Sequence, residues 1–237
     1  MLGSLEADIF YHILKRVRRG EEEEGESGRL PSEHDLAREF SVTRITVRNI
    51  YLTLEEMGLV RAKQGKGRFA VKMRKTISLN LSGESSFTDK MREAGLALET
   101  RVVACKYVRC GPRMLASLGA DESDRVFRIG RLRIVEGTPV ALHVSYFLAD
   151  EFPDLVADAE AHPSIFAYFR SKGIERFASS GGVLSVAFPT RNEVRLLGIG
   201  YLVPLLTCAS DTLDADTGRV LQVSRIFYRS DAFEYRL

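Results

Sequence analysis

The sequence contains no tryptophan, only three cysteines, and no apolar run long enough to cross a membrane. Its longest apolar stretch, residues 196–209, is broken by glycines and a proline and is shorter than the ~20 residues that a membrane helix needs. No basic segment followed by an apolar one opens the chain, so no secretory signal is predicted. Cys105, Cys110 and Cys208 lack short paired spacing, which argues against a disulfide framework or a zinc site. We therefore expect a cytoplasmic protein with no cofactor.

Neither sign of charge dominates, because 34 Lys and Arg residues nearly cancel 32 Asp and Glu residues. With 45% hydrophobic residues the chain is too apolar for wholesale disorder, and its 237 residues suit one or two domains. The charge is nevertheless uneven. Between residues 42 and 75, nine basic residues accompany only two acidic ones, Glu55 and Glu56. Such a local cluster predicts a surface that faces a polyanion, although a solvated basic face would give the same pattern.

The first part of the chain has helical periodicity. Apolar residues recur every four positions over residues 4–19, which predicts a helix that ends at Gly20, before an acidic loop at residues 20–28. Ser32 is placed to cap a second helix, which ends near Phe40. Another start at Thr43 opens a third helix, which Gly58 ends. Two helices separated by so short a turn predict a helix-turn-helix.

A short basic hairpin follows the third helix. Residues 59–63 and 68–72 are predicted to be strands, and the glycines between them permit the positive φ of a tight turn. Four basic residues alternate along this hairpin: Arg61, Lys63, Lys66 and Arg68. A hairpin in this position is typical of the wing of a winged helix. We predict a DNA-binding domain at residues 1–72, a linker at 73–85 and a second domain at 86–237.

The pattern changes after the predicted linker to strands with intervening helices. Strands are predicted at residues 102–108, 126–135, 140–148, 183–188, 205–213 and 220–228. Helices are predicted at residues 87–94, 163–171 and 190–197. Long strands joined mainly by hairpins predict an α+β domain with an antiparallel sheet.

The third helix is the candidate for reading DNA bases. Arg44 and Arg48 are four residues apart and share one helix face, and Thr46 lies near the helix start. Arginine binds the guanine edge through two hydrogen bonds, and threonine can contact base edges or the thymine methyl group. Two solvated surface arginines would show the same spacing, but the short turn before them and the basic hairpin after them favour the DNA interpretation.

Two arginines of the second domain also indicate binding. Period-two alternation places Arg131 and Arg133 on one face of a largely apolar strand. A buried charge needs a partner, and a bound carboxylate or phosphate would provide one. Internal acidic partners or a solvated face remain alternatives. The hydroxyls around Ser86 and Thr88 form either a second anion site or a simple helix cap.

The N-terminal motifs resemble the winged-helix domain of GntR-family transcription regulators over about residues 5–71. The segments that carry the resemblance are Leu30-Pro31-Ser32-Glu33, Val42-Thr43-Arg44-Ile45-Thr46-Val47-Arg48 and Gln64-Gly65-Lys66-Gly67. His34 stands where many members carry an arginine that reads guanine. The resemblance implies DNA contacts by Thr43, Arg44, Thr46, Arg48 and the wing glycine Gly65. The predicted DNA-binding set also includes Ser32 and His34 at the start of the second helix and Lys63, Lys66 and Gly67 of the hairpin.

The rest of the chain resembles, more loosely, the UTRA effector domain of the HutC subgroup of that family. The segments are Ser86-Phe87-Thr88-Asp89, Arg131-Leu132-Arg133, Gly137-Thr138-Pro139-Val140, Ser164-Ile165-Phe166 and Tyr228-Arg229-Ser230-Asp231. Such domains have a chorismate-lyase-like fold and bind small metabolites. The resemblance places these residues around the effector pocket: Phe87, Thr88, Arg131, Arg133, Ser164 and Tyr228. The predicted effector-binding set also includes Ser86 and His143.

Together these features predict a homodimeric, ligand-responsive transcription regulator. We expect a repressor that a small anionic metabolite, such as a phosphonate or a phosphorylated compound, releases from a palindromic operator on double-stranded DNA. The alternative is a chorismate-lyase-like enzyme domain fused to a DNA-binding module. The sequence shows no metal-ligand spacing, nucleophile elbow or phosphate-binding glycine loop that would support catalysis. A DNA binder without a ligand is a third possibility.

Overall fold

A computed structural model of the chain describes residues 3–22, 28–71 and 86–232. The chain divides into two compact units. The first comprises Met1–Thr76 with Phe188–Val194 and Ile199–Pro204, and the second comprises Ile77–Ala187, Arg195–Gly198 and Leu205–Leu237. The predicted linker at residues 73–85 lies outside the described residues, and so does most of the predicted acidic loop.

The N-terminal elements are three helices and a hairpin. They are α1 (Ser4–Glu22), α2 (Glu33–Glu39), α3 (Arg44–Glu56), β1 (Val60–Lys63) and β2 (Gly67–Ala70). The predicted end of α1 at Gly20 is wrong, because the helix continues to Glu22. A glycine inside a helix costs only about 1 kcal/mol relative to alanine, so it does not by itself end a helix.

Side-chain caps begin both helices of the helix-turn-helix, as the sequence predicts. The hydroxyl of Ser32 accepts a hydrogen bond from the Asp35 amide at 3.2 Å, and the hydroxyl of Thr43 accepts one from the Thr46 amide, also at 3.2 Å. Gly58, with φ of 74°, follows α3 in the left-handed conformation that favours glycine. These local signals set the start and the end of the recognition helix.

Apolar side chains from all three helices form the core of this unit. Ile9, Ile13 and Val17 of α1 are fully buried at the predicted four-residue spacing. They lie in one hydrophobic cluster with Leu36 of α2 and with the buried face of α3. Because that face of α3 is used for packing, the opposite face is left at the surface.

The described elements after residue 85 are five helices and seven strands, of which the sequence predicts three helices and six strands. The helices are α4 (Phe87–Glu93), α5 (Pro112–Leu118), α6 (Pro153–Ala157), α7 (Ile165–Ser171) and α8 (Arg191–Leu197). The strands are β3 (Leu98–Val108), β4 (Val126–Val135), β5 (Thr138–Leu148), β6 (Phe177–Ala178), β7 (Gly182–Ala187), β8 (Leu205–Asp214) and β9 (Val220–Arg229).

Helices α5 and α6 are the two that sequence analysis missed, and the two-residue strand β6 was also not predicted. Each helix spans two turns or fewer, too little for a periodic apolar stripe to show. A local signal for α5 was nevertheless present. Pro112 stands at its start, and Gly119 ends it with a φ of 66°, which is the usual placement of these two residues at helix ends.

Seven strands form one antiparallel sheet in the order β3-β4-β5-β9-β8-β6, with β7 also paired to β8. This confirms the α+β class and the antiparallel sheet. The pairing register places side chains from separate parts of the chain in rows across the strands. Arg131 of β4 pairs with His143 of β5, His143 pairs with Ile226 of β9, and Ile226 pairs with Cys208 of β8. Residues two positions along each strand therefore share this face.

An aromatic cluster anchors the helices that follow β5. Phe147 of β5 and Phe169 of α7 are fully buried, and their ring centroids lie 6.4 Å apart. Phe152 contacts both rings, at 6.1 Å from Phe147 and 5.3 Å from Phe169. This packing fixes the start of α7, which contributes Ser164 and Phe166 to the cavity described below.

Candidate functional site

The exposed face of α3 carries the predicted base-reading residues. Arg44 and Arg48 are exposed and Thr46 is half-buried, whereas Val47 is fully buried. The structure therefore places these arginines where a duplex could reach them. Sequence analysis did not single out Ile45, which is 70% exposed beside Arg44. An exposed aliphatic side chain at this point can contact a thymine methyl group.

The wing places its glycines and lysines at the surface. Lys63, Gly65, Lys66 and Gly67 are all exposed. Gly65 and Gly67 have φ of 72° and 100°, a conformation that other residues rarely adopt. The backbone can thus turn tightly and approach a neighbouring molecule closely at this tip.

Residues from both helices and the wing line one shallow depression in this unit. Ser32, His34, Arg44 and Gly67 lie around it, together with Arg29, which sequence analysis did not consider. Arg44 approaches the Glu33 carboxylate at 3.9 Å. The structure thus brings four of the predicted DNA-binding residues to one concave surface.

Arg68 differs from the other basic residues of the hairpin, because its side chain is turned inward. Its guanidinium donates to the carboxylates of Glu33 at 2.6 Å and Glu55 at 2.7 Å. It also lies over the ring of Tyr51, 4.6 Å from the centroid, and the Tyr51 hydroxyl donates to the Pro31 carbonyl at 2.7 Å. Burial lowers the pKa of Arg68, but its hydrogen bonds to the two carboxylates outweigh that effect and raise it. Arg68 therefore connects the wing to α2 and α3.

A cavity in the second unit collects most of the predicted effector-binding residues. Its floor is the sheet face formed by β4, β5, β9 and β8, and its other walls come from the starts of α4 and α7. Seven of the eight predicted residues line it: Ser86, Phe87, Arg131, Arg133, His143, Ser164 and Tyr228. Thr88 is not among the residues that line the cavity, and its buried hydroxyl has no hydrogen-bond partner among the described residues.

Arg131 and Arg133 of β4 are each 3% exposed, which rules out a solvated face for them. Arg131 donates to the Ser145 hydroxyl at 3.1 Å and to the Pro163 carbonyl at 3.5 Å. Arg133 donates to the Thr100 hydroxyl at 2.5 Å and to the Pro163 carbonyl at 3.1 Å. Every one of these acceptors is uncharged, and within the described ranges neither guanidinium forms an ion pair with a carboxylate.

Burial and mutual repulsion act on the charge of these arginines. Burial lowers the pKa of Arg131 well below its usual value, and the nearby positive charge of Arg133 lowers it further. Burial also lowers the pKa of Arg133 to about 10. The Nε atoms of both residues lack a hydrogen-bond partner in the described part of the chain. The cavity therefore offers unsatisfied donors and positive charge to an anion.

Aromatic rings surround the arginines on one side. The His143 ring packs edge-to-face with Phe87 at 5.1 Å and with Tyr228 at 5.8 Å. Burial lowers the pKa of His143 well below its usual value, and the charges of Arg133, Arg131 and Lys90 lower it further. His143 is therefore neutral at physiological pH, and it adds no charge to the cavity.

The hydrogen bonds at the start of α4 distinguish the two interpretations of its hydroxyl groups, an anion site and a helix cap. The Ser86 hydroxyl accepts from the Asp89 amide at 3.0 Å and donates to the Asp89 carboxylate at 2.7 Å, in a capping box. Capping thus accounts for both of these contacts, although Ser86 also lines the cavity. Ser164 likewise accepts from the Ala167 amide at 3.3 Å at the start of α7.

Sequence analysis missed the polar residues of the remaining cavity floor. They are Ser145 on β5, Ser210 and Thr212 on β8, and Gln222 and Ser224 on β9. A signal was present on β9, where Gln222 and Ser224 alternate with the apolar Leu221 and Val223. On β8 no such alternation is seen, because Asp211 stands between Ser210 and Thr212. That alternation alone does not say which strands are neighbours.

Other kinds of site are not found in the described ranges. No group of three or more His, Cys, Asp or Glu side chains there could hold a metal ion, and no helix there is long and apolar enough to cross a membrane. Cys105, Cys110 and Cys208 are free thiols.

Comparison with known proteins agrees with this geometry. Residues 5–69 match the family described as "Bacterial regulatory proteins, gntR family", and residues 93–234 match the "UTRA domain". The chain is a GntR-family transcription regulator of the UTRA-containing type. It is thus a DNA-binding regulator and not an enzyme, so the enzyme alternative is set aside.

Relatives of this GntR regulator span nearly the whole chain. The HTH-type transcriptional repressor NagR of Bacillus subtilis is 24% identical over 96% of this chain and 93% of the relative. The mannosyl-D-glycerate transport/metabolism system repressor MngR of Escherichia coli is 26% identical over 95% of this chain and 91% of the relative. The crystal structure of PhnF from Mycobacterium smegmatis has the same fold, with a TM-score of 0.62 at 24% identity, covering 96% of this chain and 97% of that one.

Replacing Arg68 tests its part in holding the wing. In Arg68→Met the carboxylates of Glu33 and Glu55 lose their shared cation, and we expect a loss of about 1–3 kcal/mol in the free energy of unfolding. Urea unfolding of the full chain measures the change. Arg61→Met is the matched control, because Arg61 is exposed on the same hairpin, and it should change stability by less than about 0.5 kcal/mol. Equal losses in the two variants would contradict the assignment.

Proposed function

We propose that this GntR regulator is a homodimeric repressor that leaves a palindromic operator when a small anionic metabolite binds to its UTRA domain. The observation that carries the proposal is the pair of buried arginines, Arg131 and Arg133, which face a cavity without a carboxylate partner in the described residues. The names of the relatives NagR and MngR describe both as repressors. Since the target is DNA, the protein would act in the cytoplasm.

The proposed DNA contacts use the face of α3 that the core leaves exposed. Arg44 and Arg48 would read base edges, and Thr43 and Thr46 at the helix start would fix the helix against the groove. His34 and Ser32 at the start of α2, and Lys63, Gly65, Lys66 and Gly67 of the wing, would contact the sugar–phosphate backbone. Phosphate contacts orient the domain, while the arginines supply sequence preference.

The proposed effector is an oxyanion, because two buried guanidinium groups without a counter-charge raise the free energy of the unliganded cavity. Burying a charged group without a counter-charge is costly, and the cost falls when a phosphate, phosphonate or carboxylate accepts hydrogen bonds from both guanidinium groups. Phe87, Tyr228 and Ser164 would close the site around that group. To change operator occupancy the effector must bind one conformation of the dimer better than the other.

The proposed dimer would pair through the exposed edge of the sheet. Among the described residues β7 pairs only with β8, which leaves its other edge open. Val183 and Val186 of β7 are 68% and 71% exposed, and Leu184 is also exposed. An apolar edge strand of this kind favours pairing with another strand, and a second copy of the same strand provides a two-fold symmetric partner. A two-fold dimer would place two α3 helices for half-sites about 34–36 Å apart.

The arginines of α3 can be tested on DNA. We expect Arg44→Ala and Arg48→Ala each to weaken binding to the selected operator by roughly 1–3 kcal/mol relative to random DNA, because a base contact through two hydrogen bonds has about that value. Fluorescence anisotropy at fixed salt measures both affinities. Arg113→Ala, an exposed arginine of α5, is the control. Equal losses of affinity for the operator and for random DNA would show that Arg44 and Arg48 contact phosphates and do not read bases.

The arginines of β4 can be tested with anionic ligands. Inorganic phosphate, methylphosphonate and glycerol 3-phosphate are titrated into the full chain, and binding is measured by calorimetry and by release of operator. We expect Arg131→Ala with Arg133→Ala to weaken binding of the anions by more than roughly 100-fold, since each charge-assisted hydrogen bond contributes about 1.5–3 kcal/mol.

The control for that experiment is Arg128→Ala. Arg128 lies on the same strand three and five residues away, and it does not line the cavity. We expect this variant to bind anions normally, and we expect all variants to bind operator in the absence of ligand. Normal anion response in the double variant would show that the cavity is not the effector site.

The edge strand β7 can be tested by adding charge to it. We expect Val183→Asp with Val186→Asp to convert the dimer to a monomer, because four negative charges would be added next to the two-fold axis, two on each face of the sheet. Light scattering gives the mass in solution, and the operator affinity should fall with it. Lys106→Asp on the opposite edge strand β3 should leave the mass unchanged. A dimer that persists with both β7 substitutions would place the interface elsewhere.

A further inference from the structure

The compact unit that contains the winged helix also includes two segments from late in the chain. Phe188–Val194 and Ile199–Pro204 belong to the same unit as Met1–Thr76. In the sequence these segments lie around the end of α8, between β7 and β8. The chain therefore passes between the two units several times after residue 187, and the stretch near residue 76 is not their only covalent connection.

The Ile199–Pro204 segment contacts the end of the recognition helix α3. A helix leaves its last four carbonyl groups without a partner inside the helix. In α3 the amides of residues 57–59 donate to the carbonyl oxygens of residues 53–55. The remaining carbonyl, that of Glu56, accepts a hydrogen bond from the Leu202 amide at 3.2 Å. The Glu56 carboxylate accepts a second one from the amide of Tyr201, 145 positions later in the chain, at 2.9 Å.

Gly200 lies closer to α3 than a side chain would permit. A Cβ atom at this position would lie 2.7 Å from the carbonyl carbon of Glu56 and 2.8 Å from its Cα, and Cβ atoms essentially never come within 3.0 Å of a neighbour. The φ of Gly200 is not in the left-handed region, so its backbone conformation does not require glycine. The close approach to Glu56 is therefore what excludes a side chain here.

The chain just before this segment is fixed to the sheet of the second unit. Leu197 ends α8, and its carbonyl oxygen accepts a hydrogen bond from the Arg229 guanidinium at 3.2 Å. The same guanidinium donates to the Pro139 carbonyl at 3.0 Å and to the two carboxylate oxygens of Asp231 at 2.9 and 2.7 Å. Only one residue separates the Leu197 carbonyl from the start of Ile199–Pro204.

The contact at Glu56 leaves the base-reading part of α3 free. Arg44 and Arg48 are exposed near the start of the helix, whereas Glu56 is its last residue. Glu56 is also a poor choice for the stability of α3 alone, because a negative charge is unfavourable at the C-terminal end of the helix dipole. The segment can thus hold one end of the helix while the other end binds DNA.

We propose that the Ile199–Pro204 segment, bound to Glu56, positions the recognition helix so that a dimer binds both half-sites of a palindromic operator at once. Glu56 and Gly200 are the positioning residues. Recognition helices that are already held in place lose less conformational entropy when both half-sites are bound. The inference rests on the proposed function, because it assumes a dimer and a palindromic operator.

Alanine at position 200 tests the contact in the full chain. Fluorescence anisotropy gives the affinity for two duplexes of equal length, the selected palindromic operator and the same duplex with one half-site scrambled. We expect Gly200→Ala to weaken binding to the palindrome about ten-fold, as when the binding-competent arrangement falls to about a tenth of the molecules, and to change half-site binding less than about two-fold. Gly111→Ala is the matched control, because a Cβ atom at Gly111 has open space around it.

Glu56 is exposed, so its replacement provides a second variant that does not disturb a buried side chain. Glu56→Ala removes the acceptor of the Tyr201 amide and should lower the ratio of palindrome to half-site affinity about three- to ten-fold, roughly the net effect of one hydrogen bond. Glu56→Gln keeps an acceptor oxygen and should keep the wild-type ratio. Both substitutions remove the same negative charge, so their comparison excludes a general electrostatic effect on DNA binding. Urea unfolding and light scattering report whether each variant is a folded dimer.

Three results would contradict the proposal, and they are distinguishable. A wild-type affinity ratio in both Gly200→Ala and Glu56→Ala would show that the contact does not position the helix. Equal losses on the palindrome and the half-site would show that the contact only stabilises the DNA-binding unit. Wild-type protein that binds the half-site as tightly as the palindrome would overturn the proposed dimeric function, and the positioning role with it.

Discussion

The UTRA domain depends on one unbalanced feature, two buried arginines without an opposing carboxylate in the described residues. Arg131 and Arg133 are held by neutral oxygens alone, and the pKa of each is lowered by burial. A domain built only for stability would pair or replace such charges, because a buried unpaired charge costs free energy. A bound anion compensates the two buried charges, and the removal of this unfavourable free energy makes binding of the anion more favourable.

Arg68 of the winged helix shows the opposite solution to the same problem. Its guanidinium is also withdrawn from solvent, but two carboxylates, Glu33 and Glu55, accept its hydrogen bonds and Tyr51 covers its face. Because two carboxylates balance its charge, Arg68 lacks the unpaired positive charge that would favour an anionic ligand. The contrast separates a structural arginine from a ligand-binding one by its partners, and burial alone would not separate them.

Local patterns were enough to predict much of this molecule, and contacts distant in sequence account for what was missed. The caps at Ser32 and Thr43 and the shared face of Arg131 and Arg133 follow from spacing within a few residues. Gln222 reaches the cavity only because β9 pairs with β5 and β8, and no spacing within β9 reveals those neighbours. Similarly, Arg68 and Lys66 look alike in the hairpin sequence, and they are distinguished by the contacts of Arg68 with Glu55, 13 residues away, and Glu33, 35 residues away.

The pairing of the strands explains how one cavity combines buried arginines with a set of uncharged polar side chains. The two arginines lie on β4, whereas the uncharged polar residues of the cavity floor lie on β5, β8 and β9. Ser145 of β5 accepts a hydrogen bond from Arg131, so this part of the floor is tied to the guanidinium groups. Gln222 instead donates to Thr212 of β8, and in the described part of the chain neither residue is hydrogen-bonded to Arg131 or Arg133. A molecule in this cavity therefore meets positively charged donors on β4 and uncharged polar groups on β8 and β9, and only the pairing of these strands brings the two sets together.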